Sequence, residues 1–316
     1  MPGFFVPCGS VTIAFMLYLT ESEVAQLLPM RVCVDLTRRA FEDWRAGTAQ
    51  NQARRRLTTP GGSVLHALAG ACGSYFGTKI YSTNVRFGLR EMLVLLFDGS
   101  TGQALAMMQA EQLGQIRTGA ATGYVADLLS NPKASVVGMI GSGRQARTQL
   151  EAVRVVRSIQ TARVWSRRRD GLEQFCKEVD ATPAESAEAA VRGADIVITA
   201  TNAKDPVVDA AWIEPGAFVS AIGSNQGNRR ELPADLLAAA GIVAVDSIEQ
   251  ARIEAGDLIL AADGFARVVE LKDVQASWDP RRIAVFESLG LGLEDVAAAA
   301  YVYEQAVARN IGRPLS

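Results

Sequence analysis

Between Met30 and Ala46 apolar side chains recur at helical spacing, with Val34, Ala40, Phe41 and Trp44 on one face. That is the stripe of an amphipathic helix. Just upstream, Thr20-Glu21-Ser22-Glu23 has the pattern of a capping box and opens a shorter helix through Leu28. Past residue 50 the character changes. Short β-rich runs at 56–59, 63–68, 78–83 and 92–97 are separated by Pro60-Gly61-Gly62 and Asp98-Gly99, which are hairpin signals. Residues 105–109 read as another strand and Glu111–Leu129 as a long helix. From Ser135 short apolar strands near 136–141, 162–166, 195–199, 217–222 and 242–246 alternate with helical stretches. This predicts an α/β protein whose second part is a Rossmann-type doubly wound parallel sheet. A loop from Asp279 and a last helix at 293–309 are expected to pack back on the first part.

The segment after Ser135 carries the clearest chemistry. A buried-type strand at 136–140 runs into Gly141-Ser142-Gly143-Arg144-Gln145-Ala146, a G-x-G-x-x-A turn. A helix follows, with Ala146, Leu150, Val153 and Val156 on one face, then a strand at 161–166. In this strand–turn–helix–strand setting the glycines let a pyrophosphate approach the backbone. The amides at the helix start hold its oxygens. A site for NAD usually ends its second strand with an acid that accepts from the ribose 2′-hydroxyl. Here Ser166, Arg167, Arg168 and Arg169 stand instead. Guanidinium forks suit a 2′-phosphate, so NADPH is the expected cofactor, with NADH possible.

The chain has 316 residues, 49% hydrophobic and 21% charged, enough for two cores. A net charge of −2 gives no argument for nucleic acid or an anionic membrane. Cys8, Cys33, Cys72 and Cys176 lie far apart and form no C-x-x-C, as reduced thiols of a cytoplasmic protein would. His66 is the one histidine, and no cluster has metal-ligand spacing. Residues 1–20 carry no charge, but Pro2, Gly3, Pro7 and Gly9 and the lack of a basic start argue against an anchor or signal peptide. The fold is expected to begin near Met16, with residues 1–15 an upstream extension.

Taken together, the chain resembles the ornithine cyclodeaminase/μ-crystallin family over about residues 16–312. The residues that carry the resemblance are Gly77-Thr78-Lys79, Gln115-Ile116-Arg117-Thr118-Gly119-Ala120-Ala121 and the turn at 141–146. Gly193-Ala194-Asp195-Ile196-Val197, Ala200-Thr201, Pro215-Gly216, Gly223-Ser224-Asn225 and Arg230-Glu231-Leu232 continue it. Gly256-Asp257-Leu258 and Ser288-Leu289-Gly290 complete it. The resemblance implies a substrate-binding and dimerisation domain over residues 16–118, completed by 290–316. It implies a dinucleotide-binding domain over 119–289, and a homodimer. Members use a nicotinamide cofactor on amino acids, imino acids or cyclic ketimines.

A substrate carboxylate needs fixed cations. By resemblance these are Lys79, Arg117 and one arginine of the 54–56 triplet. On a strand Arg54 and Arg56 share a face that Arg55 does not, so the choice lies between Arg54 and Arg56. Lys79 sits in Phe76-Gly77-Thr78-Lys79-Ile80-Tyr81, a setting unlike a solvated edge. His66, between Leu65 and Ala67, is either a donor in the site or a packed strand residue. Ser166, Arg167 and Arg168 would hold the adenosine end of the cofactor. Gly141, Ser142, Gly143, Arg144 and Gln145 would hold its phosphates. Thr201, Asn202, Ile222, Gly223, Arg229 and Ser288 match family positions near the dinucleotide and the cleft. Asn225 departs from the family. The cyclodeaminases carry an aspartate there, and an amide cannot take a proton.

The expected activity is therefore NAD(P)H-dependent reduction of the C=N bond of a small imino acid. Cyclic ketimines such as Δ1-pyrroline- or Δ1-piperideine-2-carboxylate lead, with Lys79, Arg117 and Asn225 at the reacting centre. The alternatives are an ornithine cyclodeaminase, and a μ-crystallin-like protein that binds NADPH with little turnover.

Overall fold

A computed structural model describes residues 16–84 and 86–315; the extension expected over 1–15 lies outside the described residues. The first half contains β1 (Met16–Leu19), α1 (Glu21–Leu27), α2 (Met30–Ala46), β2 (Gln50–Thr58), β3 (Val64–Cys72), β4 (Tyr75–Asn84), β5 (Leu89–Asp98), β6 (Ala104–Gln109) and α3 (Glu111–Leu129). The Glu23 carboxylate reaches back to the Thr20 amide at 2.8 Å, so the cap read from sequence starts α1. Beyond α3 come β7 (Val136–Ile140), α4 (Arg144–Val156), β8 (Thr161–Trp165), α5 (Leu172–Glu178), β9 (Thr182–Pro183), α6 (Ala187–Val191), β10 (Ile196–Thr199) and β11 (Phe218–Ala221). The chain ends with α7 (Ala234–Ala239), β12 (Ile242–Val245), α8 (Ile248–Glu254), α9 (Gly256–Ile259), β13 (Val268–Glu270), β14 (Ala284–Glu287), α10 (Gly292–Arg309) and β15 (Arg313–Leu315).

Two sheets organise these elements. The first has the order β15-β1-β6-β5-β4-β3-β2 and is largely antiparallel. Helix α10 lies across its inner face against β3 and β4, and packs on α2. The return of the last helix to the first sheet is thus as expected. The second sheet has the order β13-β12-β14-β11-β10-β7-β8-β9, and every pairing within it is parallel. It is the doubly wound sheet expected from the alternating pattern. Its strand order reverses between β7 and β10, and the crevice outside that switch point is where such sheets bind ligands. Helix α3 joins the halves, and residue 118 falls inside it.

Strand β14, between β11 and β12, was not legible in the sequence. Its four residues are buried and carry no alternation. The edge pair of β1 and β15 escaped for a similar reason: β15 has three residues, one of them Pro314, which only an edge tolerates.

Candidate active site

The strand β4 alternates. Gly77 and Lys79 face inward and are buried, while Phe76 faces out. Lys79 is opposite Leu68 on one side and Val94 on the other, both fully buried. Its ammonium would be stranded there without an anion. Asp295, in the first turn of α10, supplies it: Lys79 Nζ lies 2.7 Å from Asp295 Oδ1. Arg117, on the buried face of α3, reaches the same turn. Its Nε donates to Asp295 Oδ1 at 2.8 Å and its Nη1 to Glu294 Oε2 at 2.8 Å. Four buried charges thus form one cluster, two of each sign.

Burial and the neighbouring Arg117 push the Lys79 amine down to about 7, although Asp295 pulls the other way. Burial also works against charge on Arg117, but Asp295 and Glu294 outweigh it and hold the guanidinium charged. Asp246 accepts the amides of Leu289 and Gly290 and thereby fixes the backbone beside Arg117. Burial and nearby Glu294 raise its carboxyl to about 8. Gly290 has φ of +76°, and a Cβ there would lie 2.1 Å from Arg117 Nη1. Only glycine lets the guanidinium lie against this turn.

Lys79, Arg117 and Asn225 line one cavity of about 270 Å³, together with Tyr81, Met92 and Glu111. The three residues expected at the reacting centre therefore converge. Arg54 borders the same cavity, but its Nη2 donates to the carbonyls of Leu289 and Gly290 at 2.6 and 3.3 Å, and its Nη1 faces Glu254 Oε1 at 3.5 Å. Arg56 shares Glu254 and donates to the Asn225 carbonyl at 3.1 Å. Arg55 points to the exposed Glu249 instead, as strand alternation requires. Arg56 and His66 lie outside the cavity lining. His66 stacks on Tyr81 with ring centroids 4.2 Å apart and contacts Arg56 and Thr83, so it supports the wall rather than facing the cavity.

A second cavity of about 720 Å³ lies outside the C-terminal ends of β7 and β8. Gly141, Ser142, Gly143, Arg144, Gln145, Ser166, Arg167 and Arg168 line it, as do Thr201 and Asn202. Gly141 has φ of +113°, and a Cβ on it would sit 2.4 Å from the Ala200 carbonyl; a Cβ on Gly143 would meet nothing within 4 Å. The turn is tight on its protein side and open where phosphates would approach the start of α4, so these residues fit a dinucleotide. Arg167 and Arg168 are exposed and make no hydrogen bond among the described residues. Arg169 is turned away to the carbonyls of Ala184 and Glu185.

Gln145, Ala200, Thr201 and Asn202 border both cavities, so the two adjoin. Ile222, Gly223, Arg229 and Ser288 border only the smaller one. If they touch a dinucleotide, it is at the nicotinamide end. Glu231 holds this region together: its carboxylate accepts from the Thr201 amide at 2.6 Å, the Gly223 amide at 2.7 Å and Thr199 Oγ1 at 3.0 Å. Asp257 accepts the Glu231 and Leu232 amides, each at 2.7 Å.

Sequence reasoning missed the acids Glu254, Glu294, Asp295 and Glu111. A usable signal existed for two of them. Glu294-Asp295 is an acidic pair opening a helix that is otherwise alanine-rich and buried. Such a pair complements the helix dipole and, with no solvent to face, needs cations.

A doubly wound parallel sheet with a glycine turn, joined to a largely antiparallel sheet that supplies buried cations, defines an α/β fold of the dinucleotide-binding kind. The chain belongs to the ornithine cyclodeaminase/mu-crystallin family, whose model matches residues 16–310. It is 36% identical over 214 residues to ketimine reductase mu-crystallin of Mus musculus, covering 67% of this chain and 68% of that protein. Among solved structures it is similar to Thermococcus litoralis Δ1-pyrroline-2-carboxylate reductase in complex with NADH and L-proline. That likeness has a TM-score of 0.89 and 29% identity over 95% of this chain and 100% of the other. An archaeal alanine dehydrogenase dimer with bound NAD superimposes with a TM-score of 0.86 at 30% identity, over 95% of this chain and 99% of that one.

Proposed function

We propose that this chain reduces the C=N bond of a cyclic ketimine carboxylate with NADPH. The observation that carries the reading is the buried pair Lys79 and Arg117, set in a cavity that shares four wall residues with the one at the glycine turn. Arg117 Nη2 makes no hydrogen bond among the described residues, and Lys79 uses one of its three donors on Asp295. These remaining donors hold the substrate carboxylate against two buried cations, where a charge-assisted bond is strong. Gly141, Ser142, Gly143, Gln145 and Thr201 would hold the dinucleotide, which when bound would supply the hydride that reduces an imine carbon held beside Lys79 and Arg117. The substrate enters as the protonated iminium, so hydride addition leaves a neutral cyclic amine that takes its next proton from solvent. Asn225 orients the nitrogen or the cofactor amide by hydrogen bonding, without exchanging a proton.

The same reading assigns NADPH over NADH through Arg167 and Arg168, a homodimer, and a cytoplasmic setting in which Cys33, Cys72 and Cys176 remain unpaired. No helix among the described residues is long and apolar enough to cross a membrane.

Making proline from ornithine would require amine oxidation, ring closure, ammonia loss and re-reduction, with protons moving at several steps. Asn225 is poorly suited to those steps. The test pairs L-ornithine plus NAD with Δ1-pyrroline-2-carboxylate plus NADPH, following ammonia and NADPH separately. NADPH consumption without ammonia is expected. Ammonia release at a rate comparable with ketimine reduction would overturn the assignment.

A further inference from the structure

The cavity that holds Lys79, Arg117 and Asn225 has one acidic side chain among its described lining residues, Glu111. It stands at the first position of α3, and α3 turns Glu111, Gly114 and Thr118 toward the cavity at helical spacing. Gly114 keeps the wall between Glu111 and Lys79 low: a Cβ there would already lie 3.8 Å from Lys79 Nζ and 3.9 Å from Met92 Sδ. The carboxylate of Glu111 is not needed to start its own helix. Glu21 does that, accepting the amides of Glu111 and Gln112 at 2.7 Å each.

Its partner is Arg144, an exposed side chain on the glycine turn. Arg144 borders the dinucleotide cavity, where incoming phosphates offer it a stronger anion. An exposed pair of this kind is weak and exchanges readily. Cofactor binding would therefore free Glu111 beside the substrate cavity.

Resting on the reading above, we propose that Glu111 is the carboxylate that engages the positively charged nitrogen of the substrate, the part of the site that Asn225 cannot supply. The iminium of a ketimine, and the ammonium of the cyclic amine formed from it, carry a positive charge at one atom and a carboxylate on the neighbouring carbon. Lys79 and Arg117 take the carboxylate. An anion across the cavity then discriminates for the cationic nitrogen and fixes which face of the C=N bond meets the cofactor.

Two ligands of the same shape separate this role from a structural one. L-proline carries the charged nitrogen; cyclopentanecarboxylate keeps the ring and carboxylate but has no nitrogen. Both are titrated into the NADPH-loaded protein, and dissociation constants are measured for the parent chain, Glu111→Gln and Glu111→Asp. Glu111→Gln is expected to weaken L-proline binding at least tenfold while leaving cyclopentanecarboxylate within twofold. Glu111→Asp should restore part of the preference. Equal weakening of both ligands in Glu111→Gln would show that the residue only shapes the wall, and unchanged L-proline binding would show that it is not used; either overturns the proposal. If the parent binds neither ligand, the carboxylate site itself is misassigned and this inference falls with it.

Discussion

At the scale of single residues, two side chains make opposite use of their surroundings. Arg167 is exposed and makes no hydrogen bond among the described residues, which leaves it available to the 2′-phosphate of the proposed cofactor. A charge-assisted hydrogen bond contributes about 1.5–3 kcal/mol. Arg167→Ala should therefore raise the NADPH dissociation constant roughly 10- to 150-fold and leave that of NADH nearly unchanged, as read by nicotinamide fluorescence. Equal affinity of the parent for both dinucleotides would end the argument. Lys79 is buried, and burial holds its amine at about 7. It is charged below that value and neutral above it, and only the charged form anchors a carboxylate. The expected pH profile of kcat/KM therefore falls above about pH 7, by up to tenfold per unit. In kcat the limb moves to higher pH, because a bound carboxylate raises the amine again. Lys79→Met should lower kcat/KM and flatten this limb. The same shift acts on stability with a definite sign. The unfolded lysine titrates near 10.5 and the folded one near 7, so between those values the unfolded chain binds more protons. This group's contribution to stability then rises with pH across that window.

At the scale of elements, the site depends on how α10 enters the first sheet. Gly290 turns the chain so that Glu294 and Asp295 meet Lys79 and Arg117, and its positive φ leaves room for the guanidinium. Gly290→Ala imposes a left-handed residue, costing about 1–2 kcal/mol, and drives a methyl into Arg117. Urea unfolding should show a loss of at least that size, and kcat/KM should fall by two orders of magnitude or more. Full activity in this variant would mean that Arg117 does not need its observed position. The elements themselves were mostly legible. Alternation along β2 separated Arg55 from Arg54 and Arg56, because period two is a local property, whereas Lys79 was marked only by a setting unlike a solvated edge. The glycine turn was legible because its strand and helix flank it directly. The acids that neutralise the cations were not: Asp295 lies 178 positions from Arg117, and Glu254 is far from Arg54 in the chain. Pairing across such distances is set by the packing of α10 and α8 on the first sheet, which no local pattern encodes. Helix α3 was visible as a helix, yet it is buried on nearly all sides, so no amphipathic stripe marked the face that carries Glu111.

At the scale of the whole molecule, the first sheet has one face covered and one bare. Helix α10 covers the inner face. On the other, Leu65 and Phe76 are 47% and 39% exposed, and Phe76 stacks on Phe97 with centroids 5.2 Å apart. Between them the register places Ala67 beside Ile80, Ile80 beside Leu93 and Thr78 beside Leu95. The result is a continuous apolar surface across β3, β4 and β5. Single exposed apolar residues need no explanation, but a contiguous patch is what an interface buries. A symmetric dimer is the simplest arrangement that buries the same patch on both partners, and a stable one buries about 1,600 Å² in total. A charge on that patch would lie at the centre of such an interface, where a desolvated lysine is costly. The parent chain should therefore elute with twice the 33.7 kDa chain mass in size-exclusion chromatography with light scattering. The double variant Ile80→Lys, Leu95→Lys should run as a monomer with unchanged circular dichroism. Neither side chain faces the cavity, since both alternate with inward residues on their strands, so the variant separates assembly from chemistry. Loss of turnover in a folded monomer would show that the dimer holds β4, and with it Lys79, in place. A parent chain that is itself monomeric would leave this face without the partner argued for it.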